Sequence, residues 1–467
     1  MLVIKTRFCP SPTGYIHLGN VRTALFSALF AKHCEGSFLL RIEDTDQTRS
    51  EDIYTQALMR DLRWLGLQWD EGVDAKGDAG PYYQSQRQPI YDDYYDQLIE
   101  KKTAYACFCT EEQLTLQRAL QQKSGKPPRY SGACRHLTEV QRQEKIAAGL
   151  KPTLRFCIPD SDVITFVDTV RGEQSFKGSD LGDFVIRRSD GTAPFMYCNA
   201  IDDALMGVNS VLRGEDHLTN TPRQIAILKA LNLPIPTYGH IALIVGPDGS
   251  PLSKRHGSRS IQVLREEGFL PLAIVNYLAR LGHYYGHDTF YSLEALAKEF
   301  KLESLAKSPA KFNEKQLLFW QNQAVSQLTE EQFFHWAGDA ITAIIPADKK
   351  SEFFNTVKPN VQFPSDVKAW AKALFDELDE SNAEQQGVID TAGKAYFSQA
   401  IIALDEYGAN AEKILAHVKE KCDVKGKALF MPLRIALTGF EHGPDLAVIF
   451  SLMNAKTIKR RLERGMK

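Results

Sequence analysis

The pattern that most constrains this chain is a strand, a glycine-containing loop and a helix, in that order, near its start. The apolar run LVIKTRF precedes PSPTGYIHLGN at residues 10–20, and VRTALFSALFAKH follows with the apolar spacing of a helix. Gly14 and Gly19 allow the loop backbone to approach a phosphate, and the free amides at a helix start favour an anion. We interpret Asn20 as the helix cap and expect His17 to reach the same anion. The segment therefore predicts a phosphate-binding loop.

A second segment, PLSKRHG at residues 251–257, places cations on a loop. Lys254 and Arg255 follow the turn-forming GPDGSP, so they suit the binding of a pyrophosphate at a loop tip. Either segment alone is also typical of an ordinary helix start or a solvated basic loop. Because neither matches G-x-x-x-x-G-K-[ST] or G-x-G-x-x-G, common kinases and dehydrogenases are disfavoured. The two segments together predict a pocket for ATP.

Strand and helix patterns divide the chain into regions. Short apolar strands alternate with helical patterns over the first 85 or so residues, and the same texture returns from about residue 193 to 251, which predicts a split parallel sheet. Residues 86–192 between them mix the helix-like TEEQLTLQRALQQK with the strand-like TLRFCIP and VITFVDTV, so they predict a separate α+β lobe. From residue 258 onward helical patterns dominate. The predicted fold class is α/β with an all-α C-terminal region.

Composition sets broad limits on the chain. Its 467 residues are 43% hydrophobic and 24% charged, which is typical of a globular protein with several domains. The first residues do not include a cleavable apolar segment, and no apolar stretch in the sequence is long enough to span a bilayer. We therefore expect a cytoplasmic protein without a membrane partner. The net charge of -2 does not by itself indicate a nucleic-acid partner. The basic run KTIKRRLERGMK at the end is a candidate for phosphate contacts, although charge alone favours a solvated helix face.

Four residues of the lobe have the spacing of a metal site. Cys107 and Cys109 are followed, after 24 residues, by Cys134 and His136. Three thiols and an imidazole suit tetrahedral Zn2+, and closed four-ligand coordination leaves no position for a reacting water. Eight cysteines are too few for a disulfide scaffold in a chain of this length. We therefore expect one zinc ion with a structural role.

These segments resemble a known family. HLGN is similar to the HIGH signature, and LSKR to the KMSKS signature, of class I aminoacyl-tRNA synthetases. Further segments resemble bacterial glutamyl-tRNA synthetases in order and over essentially the whole chain, namely RFCPSPTG, LRIEDTD, VLRGEDH with TPRQIAIL, PLSKRHG, and LFMPLRIALTG with EHGP. The resemblance implies a Rossmann-like catalytic domain at 1–85 and 193–257, an acceptor-binding zinc insertion at 86–192, a stem-contact segment at 258–322 and an anticodon-binding domain at 323–467.

The resemblance also implies a ligase reaction in two steps. ATP and L-glutamate give glutamyl-adenylate and pyrophosphate, and the terminal ribose hydroxyl of a tRNA then takes the glutamyl group from AMP. No protein nucleophile is needed, and His17 and Lys254 are expected to stabilise charge on the phosphates while Mg2+ shields the triphosphate. A monomer is implied. The residues implied to contact ATP are His17, Gly19, Asn20, Ser253, Lys254 and Arg255.

Glutamate makes chemical demands on its pocket. Its side-chain carboxylate requires cations, and its ammonium group requires an acceptor. Arg7 and Arg213 are candidate forks, because a guanidinium can donate two parallel hydrogen bonds to a carboxylate. Glu43 can accept from the ammonium group. The resemblance assigns the same three residues and adds Ser11.

Three positions depart from the family pattern. Asn20 stands where the first signature ends in histidine. Pro251 replaces the first lysine of the second signature, where it would stiffen the loop. Phe195 stands where the family has tyrosine, and on a strand Tyr197 would share its face. Tyr197 is therefore our candidate for the missing hydroxyl.

Related functions differ in particular features. A tRNA-modifying paralogue shares the catalytic half but lacks the helical C-terminal region, and glutaminyl-tRNA synthetase has β-barrels there. A degenerate duplicate that binds tRNA without activity is disfavoured by intact His17, Lys254, Arg7 and Arg213. The tRNA partner stays open, because the chain is compatible with charging of tRNA(Glu) alone, of tRNA(Gln) preferentially, or of both.

Overall fold

The computed structural model describes the chain in five stretches, which are residues 3–45, 51–125, 128–252, 259–378 and 382–466. The chain divides into two compact units, which are Met1–Leu264 with Ile274–Glu314, and Arg265–Ala273 with Lys315–Lys467.

The strands all lie in the first unit. In chain order the described strands are β1 (Lys5–Phe8), β2 (Ser37–Leu40), β3 (Glu71–Gly72), β4 (Ala104–Cys107), β5 (Thr153–Phe156), β6 (Val163–Asp168), β7 (Gly172–Lys177), β8 (Phe184–Arg187), β9 (Ser210–Gly214), β10 (Thr237–Ile241), β11 (Ile244–Val245) and β12 (Ala310–Lys311).

The helices fall into two sets along the chain. The described helices before residue 300 are α1 (Leu18–His33), α2 (Asp52–Trp64), α3 (Gln88–Glu100), α4 (Glu111–Lys123), α5 (Glu139–Ala147), α6 (Gly178–Leu181), α7 (Phe195–Leu205), α8 (Thr221–Leu231), α9 (Ile261–Glu266), α10 (Pro271–Arg280) and α11 (Leu293–Glu299). The later ones are α12 (Glu314–Ser326), α13 (Glu330–Ala337), α14 (Asp339–Thr342), α15 (Lys350–Val357), α16 (Pro364–Phe375), α17 (Ala383–Tyr407), α18 (Ala411–Cys422), α19 (Lys427–Thr438), α20 (Leu446–Leu452) and α21 (Ala455–Arg464).

The split parallel sheet predicted from the sequence is confirmed. Strands β1, β2 and β3 pair in parallel, and β9 pairs in parallel with β10. The two groups meet at Lys5, whose backbone N–H donates to Asn209 Oδ1 at 2.9 Å while its carbonyl accepts from the Asn209 backbone N–H at 3.1 Å. The carboxyl ends of β1 and β9 therefore lie at one edge, where ligands of α/β sheets bind.

The inserted residues form two substructures. Strands β4, β5 and β8 make an antiparallel sheet, and α4 covers most of the predicted helix-like segment, with a capping box at Thr110. Hairpin β6–β7 lies elsewhere, because β6 pairs in parallel with β10 at Asp168 and Tyr238. The hairpin thus extends the sheet that carries β9.

The second unit is helical, as the sequence predicted. Its buried core gathers apolar residues from α13 to α21, including Phe333, Phe353, Phe397 and Leu433. Helix α17 is interrupted at Gly393, whose φ of 78° is accessible to glycine without strain. In the described part of the chain, every helix is too short or too polar to cross a membrane.

Candidate active site and metal cluster

The loop between β1 and α1 ends at an uncapped helix start. His17 is the N-cap residue of α1 and makes no side-chain capping hydrogen bond. Asn20 lies within the first turn, so our interpretation of Asn20 as the cap is wrong. The first-turn amides therefore lack a side-chain acceptor at the cap, which suits an external anion. A Cβ added at Gly14 or Gly19 would meet no atom within 4 Å, so both glycines border open space.

The exposed His17 lies beside the return of the second predicted segment. Its backbone forms an antiparallel bridge with Ser260, and the Ile261 N–H donates to the Ile16 carbonyl at 3.0 Å. Ser253, Lys254 and Arg255 lie outside the described residues. The chain that follows residues 253–258 therefore reaches the N-cap residue of α1.

A network of buried ion pairs surrounds two of the predicted glutamate residues. Arg7 Nε lies 3.1 Å from Asp203 Oδ2, and Arg41 bridges Asp203 Oδ1 at 2.8 Å and Glu43 Oε1 at 3.3 Å. Burial alone would raise the pKa of Asp203, but Arg7 and Arg41 outweigh it and lower that pKa. Arg7 is thus an ion-paired residue. The sequence signal that was missed is the acidic pair within the apolar segment CNAIDDAL, since buried carboxylates require cations.

Glu43 is a buried acceptor. Its Oε1 accepts from Asn199 Nδ2 at 2.6 Å, and its side chain is nine-tenths or more buried. Burial raises the pKa of Glu43 against the opposing effects of Arg41, of the Asn199 hydrogen bond and of Arg7. Asn199 is held in turn by Gln224, whose Nε2 donates to Asn199 Oδ1 at 2.9 Å. Asn199 and Arg41 contact Glu43 directly, and the motifs did not single them out.

Arg213 differs from Arg7 because none of its hydrogen bonds goes to a carboxylate. It is 4% exposed, and it donates from Nε to His240 Nε2 at 3.2 Å and from Nη2 to Thr221 Oγ1 at 2.6 Å. Nη1 has no partner, and within the described stretches it is the only buried terminal guanidinium nitrogen in that condition. Burial, together with the nearby charge of Arg7, lowers the pKa of Arg213. The two N–H groups of Nη1 are therefore available to donate to an anion.

The three candidate residues share one electrostatic neighbourhood. Arg7 acts on the pKa of both Glu43 and Arg213. Ser11 is exposed on the loop, and its carbonyl accepts from the Thr13 N–H at 2.9 Å. Glu43, Arg213 and the start of α1 all lie in the first unit.

Residues 195–197 begin a helix, so the strand expected there is wrong. Pro194 is the N-cap of α7, and residues two apart on a helix point to different sides. Tyr197 is fully buried, donates its hydroxyl to the Tyr91 carbonyl at 3.0 Å and stacks on Tyr95 at 4.3 Å. Phe195 instead has its ring centroid 5.1 Å from that of His217. Tyr197 is thus a packing residue and does not replace a hydroxyl at Phe195.

Three of the four predicted metal ligands converge. The sulfur atoms of Cys107, Cys109 and Cys134 lie within 4.8 Å of one another, as zinc thiolate ligation requires. His136 is exposed and is not among the ligand atoms of this cluster. Tyr130 Oη lies instead 3.3 Å from Cys107 Sγ and 3.7 Å from Cys109 Sγ, and it accepts from the Cys134 N–H at 2.9 Å. The donor set fits a zinc ion, with a hydroxyl at the fourth side.

Comparison with known proteins identifies the family. Residues 3–319 match the model for the catalytic domain of class I tRNA synthetases (E and Q), and residues 327–466 match an anticodon-binding domain. The chain belongs to the class I tRNA synthetases. This family assignment confirms the resemblance drawn from the HLGN and LSKR segments.

Full-length relatives narrow the assignment to one branch of these synthetases. Glutamate–tRNA ligase 1 of Coxiella burnetii is 58% identical over 463 residues, covering 99% of this chain and 100% of that protein. Glutamate–tRNA ligase 2 of Nitrosococcus oceani is 50% identical and covers 98% of each. A crystal structure of the glutamate tRNA ligase from Elizabethkingia meningosepticum, in complex with its amino acid, matches with a TM-score of 0.87 at 28% identity and covers 99% of each chain. The chain therefore belongs to the glutamate–tRNA ligase family.

Proposed function

We propose that this protein is a glutamate–tRNA ligase, which joins L-glutamate to the 3' end of a tRNA through glutamyl-adenylate and releases AMP and pyrophosphate. The observation that carries the proposal is the unpartnered, buried Nη1 of Arg213 in a chain of this family. A buried guanidinium with two free N–H donors requires a planar anion, and the side-chain carboxylate of glutamate is one.

Each predicted residue has a proposed role in this pocket. Arg213 binds the side-chain carboxylate, and the charge of Arg7 adds to the attraction although its Nε bonds Asp203. Glu43 accepts from the ammonium group, with Ser11 beside it on the loop. The α-carboxylate then stays free to attack the α-phosphorus, and no protein nucleophile takes part. The proposed ATP contacts are His17, Gly19, Asn20, Ser253, Lys254 and Arg255.

The phosphates are stabilised electrostatically in this proposal. The uncapped start of α1 offers backbone N–H groups and a positive dipole end, and His17 and Lys254 oppose charge that develops during attack. Mg2+ would accompany ATP and neutralise part of the triphosphate charge. We expect Lys254→Ala to lower the rate of adenylate formation much more than glutamate affinity, and equal losses in both would contradict the role.

A structural zinc ion is proposed for the thiol cluster. Cys107, Cys109 and Cys134 would hold it, and the position of Tyr130 favours that hydroxyl over His136 as the fourth donor. Metal content after dialysis against a chelator tests this choice. We expect Tyr130→Phe to lose zinc and the matched His136→Ala variant to keep it. The reverse result restores His136 as the ligand.

The domain roles follow the family. We propose catalysis in 1–85 and 193–257, acceptor binding in 86–192, stem contact in 258–322 and anticodon binding in 323–467, by a monomer in the cytoplasm. The pairing of β6 with β10 supports a close link between the insertion and the catalytic sheet.

Aminoacylation of purified tRNAs tests the proposed function. With ATP and labelled amino acid, we expect charging of tRNA(Glu) with glutamate and no charging with glutamine. The same assay with tRNA(Gln) determines whether the enzyme accepts one tRNA or both. A protein that binds tRNA but charges neither with glutamate would be the inactive duplicate, and the proposal would fail.

A further inference from the structure

The feature that carries a new inference is the pair formed by Arg213 and His240. The two residues are direct partners in the parallel register of β9 and β10, so their side chains leave the same face of the sheet. Both side chains are buried, and Arg213 Nε donates to His240 Nε2 at 3.2 Å. A neighbour on the adjacent strand thus fixes one edge of the guanidinium.

Hydrogen bonding on the far side of the ring sets the His240 tautomer. Nδ1 lies 2.5 Å from Asp168 Oδ2, and because an ionised carboxylate only accepts, Nδ1 carries the proton. Nε2 then presents its lone pair to Arg213 and to the Thr221 hydroxyl, 3.0 Å away. Thr221 Oγ1 accepts from Arg213 Nη2 at 2.6 Å. Arg213, His240 and Thr221 thus form a closed triangle of hydrogen bonds. It occupies Nε and Nη2 of the guanidinium and leaves Nη1 without a partner in the described stretches.

Asp168 is itself anchored by the backbone. Its Oδ1 accepts from the N–H groups of Val170, Arg171 and His240 at 2.9, 2.8 and 3.2 Å. It is the last residue of β6, next to β10, and it is 2% exposed. The carboxylate is therefore held at the end of a paired strand, where it can fix the His240 ring that contacts Arg213.

We propose that Asp168 and His240 are positioning residues that act through Arg213 on the binding of substrate glutamate, an inference that rests on the proposed function. Asp168 holds the tautomer, the Nε2 lone pair holds Arg213 Nε, and Nη1 stays unbonded for the side-chain carboxylate. Neither residue touches the reacting atoms. Their loss should therefore act on glutamate affinity and leave the affinities for ATP and tRNA unchanged.

Two substitutions of His240 separate the two sides of the ring. An asparagine amide overlaps Nδ1, so His240→Asn keeps a donor for Asp168 and loses the acceptor for Arg213. A glutamine amide overlaps Nε2, so His240→Gln keeps that acceptor. Because His240→Asn removes a hydrogen bond to a charged group, we expect it to raise the KM for glutamate roughly 10- to 100-fold. His240→Gln should stay within about threefold of the unchanged enzyme.

A buried histidine elsewhere in the same unit provides the control. His283 is 5% exposed, and its Nε2 lies 3.0 Å from the Lys301 carbonyl and 3.1 Å from the Lys301 backbone nitrogen, so its described hydrogen bonds do not involve Arg213. His283→Asn should lower the melting temperature without changing the KM for glutamate. If His240→Asn and His240→Gln raise that KM equally, or if they only lower the active fraction as His283→Asn does, the positioning role is overturned.

Double substitution tests the part of Asp168. Asp168→Asn allows an N–H to face Nδ1, which reverses the tautomer and places Nε2–H against Arg213 Nε–H. We expect it to raise the KM for glutamate in the unchanged background and much less in the His240→Gln background. Equal effects in both backgrounds would remove Asp168 from the proposal.

Direct glutamate binding, measured by calorimetry without ATP or tRNA, distinguishes the two failures. An enzyme that binds glutamate but does not charge tRNA refutes the proposed function, and the dissociation constants of the same variants still decide the positioning role. An enzyme that does not bind glutamate at all refutes both.

Discussion

Each of the two units buries an arginine that is not hydrogen-bonded to a carboxylate. Of these two arginines, only the one in the first unit has a terminal guanidinium nitrogen without a hydrogen-bond partner among the described residues. Arg213 in the first unit is 4% exposed and Arg461 in the second is 1% exposed. Burial lowers the pKa of both, to about 10 for Arg461. Arg461 donates to the carbonyls of Ala373 and Leu437, and to that of Asp376 at 2.6 Å. Neither burial nor pKa therefore separates a binding group from a structural one, whereas the unfilled donors of Arg213 do.

The contrast also explains the basic C-terminal run. Helix α21 buries Ile458 and Leu462 together with Arg461, which takes the carbonyls at the ends of α16 and α19. Lys459 pairs with Asp405 at 2.7 Å on the exposed side. An amphipathic, packed helix therefore accounts for this run of cations. Charge alone likewise favours a helix face over phosphate contacts.

Arg213→Met should give the largest change. Methionine fills similar space without donors, so the carboxylate of glutamate loses its charge-assisted bonds, which contribute about 3–4 kcal/mol in a buried site, or roughly 100- to 1,000-fold in kcat/KM for glutamate. Unfolding free energy should change by less than about 1 kcal/mol, because removal of an uncompensated buried cation offsets the lost contacts. Steady-state aminoacylation and calorimetric melting measure the two quantities. A large loss of stability with an unchanged KM for glutamate would show that Arg213 has a structural role like that of Arg461.

Arg461→Met should show the opposite pattern. Three buried carbonyls at helix ends lose their donor, so we expect the unfolding free energy of the second unit to fall by about 3 kcal/mol. The KM for glutamate should not change. Arg460→Met is the matched control, because Arg460 is half exposed and pairs with Glu377 at 3.4 Å, and such surface pairs contribute about 0.5 kcal/mol. A shifted glutamate KM in Arg461→Met would break the comparison.

Arg22→Met tests whether the effect on glutamate binding depends on the unit in which a buried arginine lies or on the hydrogen bonds that it makes. Arg22 lies in the first unit with Arg213, but its terminal nitrogens donate to the carbonyls of Leu281, at 2.9 Å, and of Ala242. We expect a loss of about 2 kcal/mol in unfolding free energy with no change in the KM for glutamate. The unpartnered buried nitrogen of Arg22 is Nε, not a terminal nitrogen as in Arg213. If the KM rises as in Arg213→Met, location rather than an unfilled terminal nitrogen governs glutamate binding.

Local patterns predicted those features that neighbouring residues determine. The strand, loop and helix around His17 and the thiol trio were confirmed, because strand alternation, helical spacing and ligand spacing act over short stretches. The partners of Arg213 were not predicted, since Asp168 and His240 meet it only through the pairing of β6, β9 and β10. Tyr197 was misread for a different, local reason, because a helix with Pro194 as its N-cap begins where a strand was expected.

Acid should produce the smallest effect, and it should appear at Arg213 and not at Arg461. Burial and the charge of Arg213 lower the pKa of His240 below its ordinary 6.5, against the Asp168 hydrogen bond. As pH falls below 6.5, His240 therefore takes up a proton in the unfolded chain before it does so in the folded protein. This difference lowers the unfolding free energy until the pH reaches the pKa of His240 in the folded protein. Arg213→Met takes away one cause of the lowered pKa of His240, and likewise of His217, so the variant should gain stability relative to the unchanged protein as pH falls from about 7 to 5. The deficit of Arg461→Met should stay constant over that range, since no titrating side chain is hydrogen-bonded to Arg461 in the part of the chain described. Denaturant unfolding at both pH values measures the two differences, and a parallel drift of both variants would refute the link between Arg213 and His240.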